Sequence, residues 1–473
     1  MDQQMRTGDA VKSAGITRRA AVGAAGGAAA ALVASRSALT AGAAQATPAA
    51  TPAAATNPAV ASWPRVFREP AFQYQFLGAL GSTYERAADV GELFAAAAEI
   101  RDRDYDSWYD VFHALGDRVR AIAEAGAVVG DRVSAREAWL RAASYYGQAY
   151  FFALGTKAPD RIVPTWEAHR ASFDAFVALL DSPGEAVAIP YEGTTLPGYV
   201  LLVDDSGRPR PWLIMNNGSD GTASDMWAEG AAAGLRRGYN ALVFDGPGQG
   251  AALWRQKLYF RPDWEKVVTP VVDWLLARPD VDPRRIAILG VSQGGYWVPR
   301  ALAFEHRLAA AIADPGVVDV ATSWTSQLPP GLLEELVNAP AEQQQQIAAA
   351  IDRGIAEGEA QSPAFRFTLA MRMAPFGTTT YSETLLRVAQ YTLRDVVGRI
   401  RTPLLIAAPE GEAFWPGQSQ ELYDALPGSK ELVRFTAAEG ADLHCEPKAL
   451  GLRAQRFFDW LDRTIGSSDA APG

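Results

Sequence analysis

The chain has 473 residues, 48% of them hydrophobic and 10% aromatic, which is ample for a packed core and excludes disorder of the whole. Its 44 Lys and Arg against 54 Asp and Glu leave a net charge of −10, which argues against nucleic acid or an anionic membrane as partner. One cysteine, Cys445, excludes an internal disulfide, and four histidines with no pair at ligand spacing predict no metal site.

Near the start, Arg18-Arg19 precedes a weakly apolar Ala/Gly-rich run, Ala20 to Ala34, and Ala44-Gln45-Ala46 fits the small-x-small pattern of signal cleavage. This predicts a twin-arginine (Tat) signal over 1–46, which exports a protein already folded, to a secreted or periplasmic location. The run falls short of the roughly 20 strongly apolar residues of a membrane anchor, so the mature form is expected to be free of the membrane. Residues 47–62 read as a Pro/Ala linker, and the fold is expected to start near Trp63.

From 63 to 183 the pattern is helical throughout. Ser134-Ala135-Arg136-Glu137 has the form of a capping box, with Trp139, Ala142, Ala143, Tyr146 and Tyr150 at helical spacing behind it. Gly91–Arg101, Ser107–Gly126 and Thr165–Leu180 read as further helices. Such a block ahead of an α/β region is expected to pack over it as a cap. Trp108 and Tyr146 are its candidate substrate-binding residues, with helix packing as the competing reading.

From 184 the texture changes. Glu185–Pro190 and Tyr199–Val203 read as an antiparallel pair. Trp212–Met215, Ala241–Phe244, Ile286–Leu289, Ala309–Ala313, Leu404–Ala407 and Leu432–Phe435 are short apolar runs suited to strands buried on both faces of a parallel sheet. Helical segments such as Trp264–Ala277 and Gly417–Ala425 lie between some of them. The result is an α/β class fold, an eight-stranded and mostly parallel sheet with right-handed crossovers, filling 184–473. A largely helical insertion, 318–400, separates the sixth and seventh strands, with Gln343–Gln346 on a solvated helix face. Insertions of that length tend to be lids or binding elements.

The chemistry is written at the strand ends. Ile286–Leu289 runs into Gly290-Val291-Ser292-Gln293-Gly294-Gly295, and a helix pattern follows from Tyr296. In that strand–turn–helix setting Gly-x-Ser-x-Gly is a nucleophile elbow, which lifts the Ser292 hydroxyl above the sheet. A serine needs a base. His113 and His169 lie in helical patterns of the N-terminal block and His306 on the helix after the elbow. His444 alone follows the final strand in a loop. Cys445 beside it reads as a packing residue. The carboxylate belongs after the seventh strand, where Glu410 and Glu412 compete. Spacing to Pro416 and the helix start at Gly417 favours Glu412. The oxyanion hole is expected from the backbone N–H groups of Gln293 and of Ser219 in Asn216-Asn217-Gly218-Ser219-Asp220-Gly221, with Asp220 next in line and also a candidate substrate contact. Asp245-Gly246-Pro247-Gly248-Gln249-Gly250 lacks the Gly-Lys-Ser/Thr ending of a phosphate loop and reads as a structural turn.

Several of these strings together resemble one family. They are Pro197-Gly198-Tyr199, Asn216 to Gly221, Phe244 to Gly250, Asp314-Pro315-Gly316-Val317, Pro416-Gly417-Gln418 and Glu439-Gly440-Ala441 through His444-Cys445. They are similar to the α/β-hydrolases with a helical N-terminal domain, the group of 2,6-dihydroxypseudooxynicotine hydrolase and of fungal pigment-pathway hydrolases that shorten polyketides. The resemblance spans 67–462, including Asp106-Ser107-Trp108. It implies an α/β-hydrolase fold, a small-molecule substrate, no cofactor, a homodimer and, in several members, cleavage of a carbon–carbon bond next to a ketone. Glu412 is a departure, since similar members usually carry aspartate. The export signal is another, being unlike the intracellular members. Three functions stand in competition. They are hydrolysis of a ketonic C–C bond in an aromatic or polyketide-like compound, ester hydrolysis or acyl transfer by the same residues, and a non-catalytic binding protein.

Overall fold

The computed structural model describes residues 65–326 and 328–466. The expected signal and linker, 1–46 and 47–62, lie outside the described residues. Eight strands form one sheet: β1 Gly184–Tyr191, β2 Thr194–Leu201, β3 Arg210–Asn216, β4 Asn240–Phe244, β5 Val281–Val291, β6 Ala310–Asp314, β7 Leu404–Pro409 and β8 Lys430–Phe435. Their order is β1-β2-β4-β3-β5-β6-β7-β8. β1, β2 and β4 pair antiparallel, and the remaining neighbours are parallel.

The parallel strands are apolar on both faces because both faces are covered. Trp212 and Ile214 of β3 and Ile286 and Ile288 of β5 enter the core that contains Trp264 and Trp297, stacked at 4.2 Å. Leu213, Met215, Ala287 and Leu289, one residue out of phase, enter the opposite core with Phe457 and Phe458 of the last helix. That double burial makes the strands legible as continuous apolar runs.

Ahead of the sheet, among the described residues, come five α-helices: α1 Pro70–Gly81, α2 Val90–Glu99, α3 Tyr105–Val129, α4 Arg132–Phe152 and α5 Ile162–Ala178. Asp89 caps α2 through the N–H groups of Gly91 and Glu92, and Asp104 caps α3 through Ser107. The expected capping box at Ser134 does not form. Gly130 ends α3 in the left-handed conformation, the chain reverses at Asp131, and α4 is already under way at Arg132, so Ser134 lies inside it.

These helices have a core of their own. Trp108 is fully buried there, within 4.7–5.4 Å of the rings of Phe67, Phe72, Phe112 and Phe152, and its indole N–H donates to Gln148 O. Tyr146 is also fully buried, with its hydroxyl on Asp117 and its ring edge on His113. Both side chains are satisfied within the cap, so the expectation that they touch substrate is corrected: they are helix-packing residues. His306 is likewise displaced, because the helix after the elbow ends at Leu302 and leaves it exposed in the following loop.

The insertion between β6 and β7 carries five helices among its described residues, from Thr322–Thr325 to Tyr381–Val388, and Gln343, Gln345 and Gln346 face solvent on the long one, Ala341–Gln361. It interlocks with the N-terminal block, since Phe367 packs at 5.0 Å against both Tyr105 and Phe152.

Candidate active site

β5 ends at Val291, and the helix Gly294–Leu302 begins three residues later. The turn between them holds Ser292 at φ 56°, a left-handed conformation disfavoured for a side-chain-bearing residue by about 1–3 kcal/mol. Two contacts hold it there: Ser292 N–H donates to Asp314 O at 2.6 Å, and Gly295 N–H returns to Ser292 O at 2.8 Å. A side chain at Gly290 would collide with the Gly294 carbonyl, so the elbow closes only around glycine.

The structure brings the three expected side chains together. His444 Nε2 is 2.9 Å from Ser292 Oγ, and His444 Nδ1 is 2.7 Å from Glu412 Oε2. With Nδ1–H on the carboxylate, Nε2 is the acceptor for the serine hydroxyl. Glu412 is itself fixed, since its Oε1 accepts the N–H groups of Phe414 at 2.8 Å and Trp415 at 3.0 Å. Glu410 points elsewhere, accepting the Ala437 N–H at the surface. Phe414 and Trp415 flank the imidazole at 4.7 and 5.8 Å.

The electrostatics are those of a buried pair. Burial alone pushes the His444 imidazole down. The Glu412 charge and hydrogen bond, with Asp314 and Asp220 behind them, outweigh it, and His444 ends above its ordinary value. Burial likewise pushes Glu412 up. The His444 charge and the two backbone N–H groups outweigh that, so the carboxylate stays ionised below its usual range. Cys445 is buried, donates to Asp314 O at 3.3 Å and has its thiol pushed far up by burial, which leaves it a packing residue. His169 is held neutral by burial, down to about 4, with Nδ1 against Ala143 O.

Gln293 is the residue between Ser292 and the helix, and its backbone lies in the right-handed region. Ser219 lies on the loop after β3, which runs directly against Ser292: a side chain at Gly218 would meet Ser292 Cβ at 2.8 Å. That loop is clamped by a residue whose role sequence reasoning missed. Gln249, buried in the Gly-rich string after β4, donates through Nε2 to the carbonyls of Asn217 at 2.8 Å and Gly218 at 2.7 Å, while its Oε1 accepts the Gly246 N–H. The string is thus a structural turn, and it sets the position of the Ser219 loop. The signal was a glutamine amid glycines, which mark close backbone approach without saying to what.

Beside the β3 loop is a small cavity of about 30 Å³, lined by Tyr150 and Phe151 of α4, Ser219 and Asp220, Trp254, and Met371 of the insertion. Burial pushes the Asp220 carboxyl up, against the lowering effect of the charges on His444 and Arg372. Arg372 is held over the Trp324 ring at 4.1 Å and donates to Ser323 Oγ.

Comparison with known proteins places this arrangement in a family. The profile of the Prolyl oligopeptidase family matches residues 232–352, the stretch that contains the elbow. Hydrolase LUC6 of Fusarium sp is 31% identical over 422 residues, covering 85% of this chain and 98% of its own length. The 20-hydroxy-prefusarin hydrolase FUS2 of Gibberella moniliformis is 31% identical over 421 residues, with the same coverage of 85% and 98%. Among solved structures, the crystal structure of the 2,6-dihydroxy-pseudo-oxynicotine hydrolase shares the fold at a TM-score of 0.64 and 23% identity, over 83% of this chain and 98% of that one. With relatives matched along nearly their whole length and a sheet of this order, the chain belongs to the α/β-hydrolases and is a hydrolytic enzyme.

Proposed function

We propose that this hydrolase cleaves a carbon–carbon bond next to a ketone in an aromatic or polyketide-like small molecule, through Ser292, His444 and Glu412. The observation that carries the reading is the unbroken chain from Ser292 Oγ to His444 Nε2 at 2.9 Å and from His444 Nδ1 to Glu412 Oε2 at 2.7 Å. Ser292 attacks the ketone carbon as His444 takes its proton, and Glu412 stabilises the imidazolium. The N–H groups of Gln293 and Ser219 receive the resulting oxyanion. The C–C bond then breaks with its electron pair on the leaving carbon, which His444 protonates. Water, deprotonated by His444, releases the acyl group from Ser292 as a carboxylic acid.

A carbanion leaves only if an adjacent carbonyl or phenol ring delocalises the charge, so the substrate needs a second acceptor group and the site needs walls to hold it. Tyr150, Phe151, Trp254 and Met371 gather around Ser219 and Asp220 between α4 and the insertion, and they supply aromatic and apolar walls of the kind such an acceptor needs. FUS2, named for its action on 20-hydroxy-prefusarin, supports the same class.

The test is a substrate panel. Bulky aryl β-diketones should be turned over with kcat/KM at least about a hundredfold above small aryl esters, a difference of roughly 2.7 kcal/mol in transition-state stabilisation. Good kinetics on esters with no cleavage of any β-diketone would transfer the same three residues to ester hydrolysis.

A further inference from the structure

The loop that bears His444 is gripped from both sides, and one of the grips comes from the N-terminal helices. Beneath the loop, Cys445 at φ 57° and Glu446 at φ 47° are both in the left-handed region, a conformation the surroundings must enforce. Asp314 at the end of β6 supplies the lower hold. Its backbone carbonyl accepts both the Ser292 N–H and the Cys445 S–H, and its carboxylate lies 2.7 Å from Arg453 Nε, with Glu446 Oε2 at 3.7 Å from the same nitrogen. All three of these ionisable side chains are 1% exposed or less.

The upper hold is α1. Its face Tyr74, Gly78 and Gly81, spaced at about one and two helical turns, lies on the segment that follows His444. The Tyr74 hydroxyl donates to the His444 backbone carbonyl at 2.8 Å, across 370 residues of sequence. Gly78 is within ordinary contact of Pro447 Cβ, and the backbone of Gly81 comes so close to the Pro447 carbonyl that any side chain there would collide with it. Burial pushes the Tyr74 phenol far above its ordinary value, with the surrounding acidic groups adding to it, so the hydroxyl keeps its proton and remains a donor. α1 thus bonds directly to the main chain of the residue read as the catalytic base.

We propose that Tyr74 is a positioning residue for His444, and that seating of α1 on the His444–Pro447 segment sets the geometry of the base toward Ser292. This rests on the reading of His444 as the base. The N-terminal helices then do two things, contributing Tyr150 and Phe151 of α4 to the cavity beside the β3 loop and completing the catalytic machinery through α1. Loss of the Tyr74 hydroxyl leaves the largely buried His444 carbonyl without this donor, and the loop relaxes away from the elbow. Displacement of a reacting group by a fraction of an ångström is costly in rate but does not affect substrate contacts elsewhere.

The experiment uses the full chain with Tyr74→Phe, which removes a single oxygen, and Gly81→Ala, which wedges a methyl group against the Pro447 carbonyl. The readouts are the second-order rate of Ser292 labelling by a small alkyl fluorophosphonate, and kcat and KM on p-nitrophenyl acetate, with Ser292→Ala as reference. For Tyr74→Phe the labelling rate and kcat should fall together by about 10- to 100-fold, with KM within about twofold of wild type. Gly81→Ala, where near-ultraviolet circular dichroism shows it folded, should give the same signature. A normal labelling rate with raised KM would make Tyr74 a substrate contact and overturn the proposal. Normal values of all three quantities would reduce the contact to packing. Labelling that persists in Ser292→Ala would instead overturn the assignment of the nucleophile, a separate failure.

Discussion

Ser292→Ala and His444→Ala should each lower kcat by about 10⁴- to 10⁶-fold, equivalent to roughly 5–8 kcal/mol of lost transition-state stabilisation, with KM nearly unchanged. The two act as one unit: without the imidazole 2.9 Å away the hydroxyl keeps its proton, and without the hydroxyl the imidazole has nothing to activate. The double variant should therefore lose little more than either single one, and a residual rate above water should survive from the oxyanion donors. The fold should be intact in both, since Ser292→Ala removes one atom and His444→Ala leaves its loop neighbours Ala441 and Cys445 packed in the core beside Phe457 and Phe458. Single-turnover kinetics and unfolding midpoints check this. Near wild-type turnover in either variant, or losses that add in the double, would contradict the assignment.

Glu412→Gln should lower kcat by about 10⁴-fold, although the side chain keeps its size. The reason is the way Glu412 is held. Its Oε1 accepts two backbone N–H groups, from Phe414 and Trp415, so in the amide variant the oxygen must stay there and the NH₂ must face His444 Nδ1. Nδ1 then has to accept, the imidazole proton moves to Nε2, and Nε2 can no longer take the proton of Ser292. The same substitution moves the pH profile. In the wild type His444 titrates above its ordinary value of 6.5 and must be neutral to act. The acid limb of kcat/KM should therefore have its midpoint above 6.5. Removing the Glu412 charge leaves burial dominant, which favours the neutral ring, so the limb of the residual activity should shift to lower pH. A pH–rate profile of the two proteins reads both effects. A limb that stays in place would mean that Glu412 does not set the protonation of His444.

The parts of this site that could be read from sequence are those set by local geometry. Gly290-Val291-Ser292-Gln293-Gly294 after an apolar strand announces its own turn, because only that backbone needs glycine where the chain crosses itself. The strands are legible because a sheet covered on both faces demands unbroken apolar runs, although β5 begins at Val281, five residues before its apolar run, in a stretch where Asp282 and Arg285 pair with each other. Glu412 is separable from Glu410 by spacing, and the separation corresponds to a real difference in direction: one faces His444, the other Ala437.

What sequence leaves hidden depends on contacts between distant segments. Trp108 and Tyr146 have the composition of a pocket wall, but three helices converge on them, and periodicity alone cannot tell a side chain that faces another helix from one that faces a cleft. Tyr74 lies on a helix entered through Pro70 whose apolar residues form no clear stripe, and its partner is 370 residues away. Gln249 and Asp314 appear as members of Gly- and Pro-rich strings, and their function exists only once β4 lies beside β3 and β6 beside β5.

The most direct measurement is the acyl-enzyme itself. An aryl β-diketone is mixed with the wild-type enzyme, quenched in acid within one turnover, and the peptide containing Ser292 is analysed by mass spectrometry. The account predicts a mass increase on Ser292 equal to the acyl half of the substrate, formed in step with release of the ketone half, and absent from His444→Ala. Ketone released at full rate with Ser292 never acylated would contradict it.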